Sequence, residues 1–235
     1  MANSWFRFKQ FTIQQNRCAM KVGTDGVLLG AWANIEKASH ILDMGCGTGL
    51  LSLMAAQRNS LAFITAVELE EDAAQQAHEN VAASAWDNRI KVINNDVLST
   101  VFDRSFDCIV CNPPYFSAQV LPPAKARSLA RHNTKGFETW IETAFNQCSN
   151  TGNAHFILPI DQKQAVLDFL KTTFWHIQRI CDVVPNDAKP AVRFLLELQK
   201  EPCETTYSRL QIETGARGNY HPEYKNLTAD FYLWA

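Results

Sequence analysis

The sequence lacks the features that would set it apart from ordinary globular proteins. Residues 1–10, MANSWFRFKQ, have neither an apolar h-region nor a small-residue cleavage site, so no secretory leader is expected. No apolar run approaches the roughly 18 residues that a membrane helix needs, which argues against a membrane partner. The seven cysteines are odd in number and irregular in spacing, which excludes a disulfide framework and points to free thiols in the reducing cytoplasm. Cys108 and Cys111 form a CxxC, but no second Cys or His pair follows at ligand spacing. Both lie inside the apolar run Phe106–Cys111, so a buried strand is expected there and no metal. Nor is there an internal repeat or a low-complexity linker. The chain is therefore expected to be a single domain, 1–235, with a front segment (1–39), a core (40–200) and a tail (201–235). Nothing in it points to an obligate protein partner.

Charge is also scarce in sum, at −2. That excludes a polyanion-binding protein by bulk composition, although the distribution is uneven. Acids are missing from the front segment before Asp25, which holds Arg7, Lys9, Arg17 and Lys21. They are missing again between Asn112 and Phe137, where Lys125, Arg127, Arg131, His132 and Lys135 fall. Two such segments in a mildly acidic chain can form a local footprint for a nucleic acid.

What is present is an alternation of short apolar runs with helix-like stretches from His40 onward, the pattern of a parallel sheet with crossover helices. Strands are expected at Ile41–Met44, Ala62–Leu69, Ile90–Ile93, Phe106–Cys111 and His155–Leu158. Helices are expected at Leu50–Arg58, Glu71–Ala83, Trp140–Cys148 and Gln164–Thr172. Ile177–Val184 and Val192–Leu198 are then separated by a proline-bounded turn too short for a helix, so the sheet should end in an antiparallel strand. The tail from Tyr207 is polar and aromatic and is expected to order only by docking on the body or on a partner.

The first expected strand runs into Asp43-Met44-Gly45-Cys46-Gly47-Thr48-Gly49. Gly45 and Gly47 allow a tight turn and close approach of a ligand, and the helix behind them offers unpaired N–H groups. A dinucleotide-binding loop is the competitor, but its spacing is GxGxxG, whereas GxGxG follows an acid here. Glu68 ends the second strand and is placed to accept hydrogen bonds from ribose hydroxyls. Asp96, at the end of the third, can accept from an adenine amino group. Acids at three successive strand ends line one crevice at the carboxyl edge of the sheet. They suit S-adenosylmethionine (SAM), which carries a sulfonium and an ammonium and no pyrophosphate.

Asn112-Pro113-Pro114-Tyr115 follows the fourth strand directly. Two prolines fix the backbone and remove two N–H groups, leaving carbonyl oxygens unopposed. Asn112 adds a side-chain acceptor. Together they suit a planar amino group, whose two hydrogens they would hold while its lone pair faces a methyl donor. Tyr115 offers a face for stacking a base taken out of its own stack.

With these motifs the chain resembles the class I, Rossmann-like SAM-dependent methyltransferases. It is similar in particular to the bacterial tRNA1(Val) adenine-N6 methyltransferases, which modify the adenine 3′ of the anticodon. The likeness covers the front segment FRFKQFTIQQNRCAMKVGTDGVLLGAW, DMGCGTG, NPPY, Ala130-Arg131-His132 and the final LTADFYL. It implies a mostly parallel seven-stranded sheet with helices on both faces, and an antiparallel last strand. It also implies that Lys21-Val22-Gly23-Thr24-Asp25 closes over the methionine end of SAM, and that the substrate is tRNA. Protein glutamine-N5 and DNA adenine-N6 methyltransferases use the same NPPY chemistry. The first usually has a helical domain ahead of the core, where only residues 1–39 stand here; the second usually carries a target-recognition domain for which no length is spare.

Overall fold

A computed structural model describes residues 3–18, 20–114, 136–215 and 218–234. The chain opens with a two-stranded antiparallel hairpin, β1 (Trp5–Arg7) and β2 (Thr12–Gln14). The helix α1 (Thr24–Trp32) then leads to β3 (His40–Met44), α2 (Leu50–Arg58), β4 (Phe63–Glu68), α3 (Glu71–Ala82) and β5 (Ile90–Asn94). Next come β6 (Phe106–Cys111), α4 (Phe137–Gln147), β7 (Cys148–Pro159), α5 (Lys163–Leu170), β8 (His176–Val184), β9 (Arg193–Gln199), β10 (Thr206–Gln211) and α6 (Pro222–Thr228).

Strands β3 to β10 form one sheet in the order β10-β8-β9-β7-β6-β3-β4-β5. All pairs are parallel except those of β9, which runs antiparallel to both β7 and β8. The expected β8–β9 pairing is present. Two details differ from the sequence expectation: an eighth strand, β10, extends the sheet beyond seven, and the antiparallel strand lies inside the sheet rather than last in the chain. The reason is local. β10, TYSRLQ, is exposed at its first four positions, so it carries no apolar period and joins the sheet as an edge strand through backbone pairing with β8.

Side-chain alternation along the strands builds two cores. Ile41 of β3, with Cys108 and Val110 of β6, joins the apolar cluster under α1, α2 and α3. Leu42 and Met44, with Ile109 and Cys111, join the cluster under α4 and α5. Cys108 and Cys111 thus point to opposite faces and cannot share a metal. Helix α1 lies close against α2: a Cβ at Gly30 would meet the Met54 sulfur at 2.6 Å, so a larger residue there would force the Met54 side chain to move.

Asn80 of α3 holds the front hairpin in place. Its side chain accepts from Gln14 N–H at 2.8 Å and donates to the Gln14 carbonyl at 2.9 Å, standing in for a neighbouring strand, and donates to the Thr48 carbonyl at 2.9 Å. The tail docks on the body. Phe231 is buried, its carbonyl accepts from Lys9 N–H, and the Lys9 ammonium donates to the Ala229 carbonyl at 2.7 Å.

A buried polar row crosses β7, β9 and β8. His155 pairs in register with Glu197, and Glu197 with Arg179. Burial acts to raise the Glu197 carboxyl, but hydrogen bonding and charge from His155 and Arg179 outweigh it and hold the group below its ordinary range. The His155 ring accepts from Asn34 N–H at 3.0 Å, and the Arg179 guanidinium stacks on Trp32 at 4.0 Å. This row ties the end of α1 to the sheet.

Candidate active site

The carboxyl ends of β3, β4 and β6 meet at one edge of the sheet. The turn after β3 is made by Gly45, Gly47 and Gly49, with φ of 74°, 54° and 80°, a left-handed region that penalises other residues. Gly45 and Cys46 N–H both donate to the Val67 carbonyl at 3.0 Å, which pins the turn to β4. A Cβ at Gly45 would touch Trp140 of α4 at 3.4 Å, whereas one at Gly47 would meet nothing within 4 Å. The backbone at Gly47 therefore borders open space that a side chain would fill.

Asp43 is fully buried below this turn. Its Oδ2 accepts from Ser52 N–H at 3.0 Å and from the Ser52 hydroxyl at 2.7 Å, at the first turn of α2. Its Oδ1 is buried with no hydrogen-bond partner among the described residues. Burial pushes its carboxyl up to about 7; the two Ser52 bonds pull it down and the Glu68 charge adds to the rise. A buried carboxylate oxygen with nothing to pair with is costly, so this atom suits a cationic or N–H-bearing ligand.

Glu68 ends β4 as expected and is half-buried. Its Oε2 accepts from Gly47 N–H at 2.8 Å and its Oε1 from Glu70 N–H at 3.0 Å. The glycine turn and the carboxylate thus fix each other. Asp96 lies two residues past the end of β5 at Asn94, not at the strand end itself, and its Oδ1 accepts from Leu98 N–H at 2.9 Å. Asn112 and Pro114 are half-buried and Pro113 is buried, directly after β6. Helix α1 passes beside them: a Cβ at Gly26 would lie 3.9 Å from Asn112 Nδ2. The structure thus brings Asp43, Gly45, Gly47, Glu68 and Asn112 to one edge.

The remaining expected residues are distributed more widely. Asp25 is ion-paired with Arg193 at 2.8 Å, while Thr24 begins α1 and is exposed. Lys21 donates to the Asn3 carbonyl at 3.1 Å. Of the front cations, Arg17 pairs with Glu79 at 2.8 Å and Lys9 caps the tail, whereas Arg7 is exposed and its side chain makes no hydrogen bond or ion pair among the described residues. Tyr115, Lys125, Arg127 and Arg131 lie outside the described residues. Sequence reasoning missed Ser52, Asn80 and Trp140, which brace the glycine turn; a serine in the first turn of α2 was the one local signal. Among the described residues no cluster of three or more His, Cys, Asp or Glu side chains is placed to hold a metal. No helix among them is long and apolar enough to cross a membrane.

The glycine turn between β3 and α2, the acids behind it and Asn-Pro-Pro at the end of the neighbouring strand define a Rossmann-like, SAM-dependent methyltransferase. Residues 21–180 match the family model described as "Methyltransferase small domain". A predicted O-methyltransferase from Agrobacterium tumefaciens shares the fold, with a TM-score of 0.68 at 22% identity over 88% of this chain and 96% of that one. The tRNA1(Val) (adenine(37)-N6)-methyltransferase of Haemophilus influenzae is 42% identical over 98% of this chain and 99% of its own length. Its counterpart in Vibrio parahaemolyticus is 40% identical over 97% and 95%. The chain belongs to the tRNA1(Val) (adenine(37)-N6)-methyltransferase family. The site fits SAM on its own terms: open space beside Gly47 and an unpartnered buried oxygen on Asp43 are what a close-lying, cationic cofactor requires.

Proposed function

We propose that this enzyme methylates the N6 amino group of an adenine in tRNA, the one at position 37 of tRNA1(Val), using SAM. The observation that carries this reading is the Asn112-Pro113-Pro114 segment at the end of β6, beside the Gly45–Gly49 turn, in a chain of this family. The three segments, 1–39, 40–200 and 201–235, act as one methyltransferase unit. A reducing compartment, the cytoplasm, suits its seven unpaired cysteines.

SAM supplies a methyl group made electrophilic by a positively charged sulfur. Asp43, Gly45, Gly47, Glu68 and Asp96 would hold the cofactor, Glu68 at the ribose and Asp96 at the adenine, with Lys21, Thr24 and Asp25 closing over its methionine end. The Asn112 side-chain oxygen and the Pro113 carbonyl would accept the two hydrogens of the substrate amino group, turning its lone pair toward the methyl carbon. Tyr115 would stack on the flipped base. Transfer of that methyl group would leave the substrate nitrogen cationic, and the nitrogen would then lose one proton to water. No general base is needed, so positioning supplies most of the acceleration. Arg7, Lys9, Arg17, Lys125, Arg127 and Arg131 are the candidates for phosphate contacts. Nucleoside mass spectrometry of unmodified tRNA incubated with enzyme and methyl-labelled SAM tests the reading. Labelled N6-methyladenosine is expected; label in a protein glutamine or in DNA instead would overturn it.

A further inference from the structure

The side of the active edge away from Asp43 and Glu68 carries an open groove of about 590 Å³ with aromatic walls. Its position follows from the topology. Pro185 comes just after β8 and Ile212 just after β10, at the same carboxyl edge of the sheet as Asn112 after β6. Thr24 also lines it, two residues before Gly26, the α1 residue that passes beside Asn112. Cofactor acids and groove thus lie on opposite sides of the Asn-Pro-Pro segment.

The aromatic surface is supplied by the tail and the front hairpin. The Trp234 ring lies 4.0 Å from Tyr220 and 4.4 Å from Tyr232, and Phe6 completes the wall from β1. Trp234 remains 44% exposed, unlike the buried Tyr224 beneath. Arg7 sits at the rim as the one front-segment cation among Arg7, Lys9, Arg17 and Lys21 that the described fold leaves without a partner. Among the described residues the lone lining acid, Glu213, is committed to its own turn by accepting from Gly218 N–H at 2.9 Å.

We propose that this groove is a nucleobase-stacking subsite for a near neighbour of the target adenine, with Arg7 on the adjoining phosphate. The inference rests on the RNA-methylating reading above. Exposed π-faces beside an unpaired guanidinium are what a flipped-out nucleotide can use, and stacking of this kind tolerates any base. The groove would therefore add affinity and hold the strand in line with Asn112, without reading sequence. The docked tail then has a purpose beyond packing, since Trp234 and Tyr220 are carried to the substrate edge by it.

The test is equilibrium binding of tRNA to the full chain and to Trp234→Ala, Trp234→Phe and Arg7→Ala, with SAM binding measured alongside. Trp234→Ala should weaken tRNA binding by about 5- to 150-fold, the range for losing one stacked base. Trp234→Phe should recover much of the loss. Arg7→Ala should flatten the log–log salt dependence of binding by about 0.7 for one lost single-strand phosphate contact. SAM affinity should not change. Because Arg7 is exposed and unpaired, its variant tests the proposal even where loss of Trp234 unfolds the tail. Wild-type tRNA affinity and salt slope in folded variants, while the parent enzyme still methylates tRNA, would overturn the subsite and leave the function standing. Failure of the parent enzyme to methylate tRNA would overturn both.

Discussion

Replacing Asp43 with Asn should make the cofactor-free protein relatively more stable as the pH rises. The carboxyl is fully buried and raised from 3.8 to about 7. In the unfolded chain it ionises near its ordinary value, so between these limits the folded state binds more protons than the unfolded one. Stability therefore falls as pH rises through that window. Between pH 5 and pH 8 the linkage amounts to about 2–3 kcal/mol, at roughly 1.4 kcal/mol per unit of displaced titration. The Asn side chain does not titrate, so its own contact losses to Ser52 are similar at both pH values and cancel in the comparison. Urea unfolding of both proteins at pH 5 and pH 8 should show the variant gaining about 2–3 kcal/mol on wild type, equivalent to about 5–10 °C in thermal midpoint for a chain of this size. SAM should raise the melting temperature of wild type but much less that of the variant, which lacks the negative oxygen. A gain below about 1 kcal/mol, against the linkage value, would mean that Asp43 is ionised at little cost in the apo-protein. The orphaned Oδ1 would then lose its significance.

Three further substitutions separate cofactor binding, chemistry and scaffolding. Asn112→Ala should lower turnover by roughly 10²-fold or more, the scale of losing a transition-state hydrogen-bonding group, with SAM affinity unchanged in calorimetry. Gly47→Ala should cost roughly 1–2 kcal/mol of stability for its left-handed backbone, and its methyl group should abolish most SAM binding by entering the space beside the turn. Asn80→Ala orphans the Gln14 N–H and carbonyl and the Thr48 carbonyl. A loss of about 2–3 kcal/mol is expected in thermal or urea unfolding, together with hydrogen-exchange opening of the β1–β2 hairpin.

The central elements were legible because each buries a face or both faces of itself. α2 spans Leu50–Arg58 and β6 spans Phe106–Cys111, as their apolar patterns indicate, and β3, β4 and β5 agree within a residue. Helix α1 escaped because it is apolar along nearly its whole length and shows no stripe, and three other elements escaped because they carry little apolar period. β7 begins at Cys148, straight after α4, but its first half, Cys148–Asn153, is polar and part-exposed, so only its second half carries a strand signal. β10 is exposed along most of its length. α6 is short, and its start is marked by His221 and Pro222, a cap rather than a stripe: the His221 ring accepts from Glu223 N–H.

The same distinction runs through the site. The glycines and acids of the Gly45–Gly49 turn announce themselves because their chemistry is local, each residue acting next to where the sequence puts it. What a cation does is decided by partners far along the chain. Lys9 meets Ala229, Arg17 meets Glu79 and Lys21 meets Asn3, so three of the four front-segment charges that look alike in sequence are engaged within the described fold. Asp25 is drawn to Arg193 in the same way. Arg7 is left over, and it is left over at the rim of an aromatic groove on the substrate edge. Among the described residues, a count of the front-segment cations thus overstates the unengaged charge available to RNA.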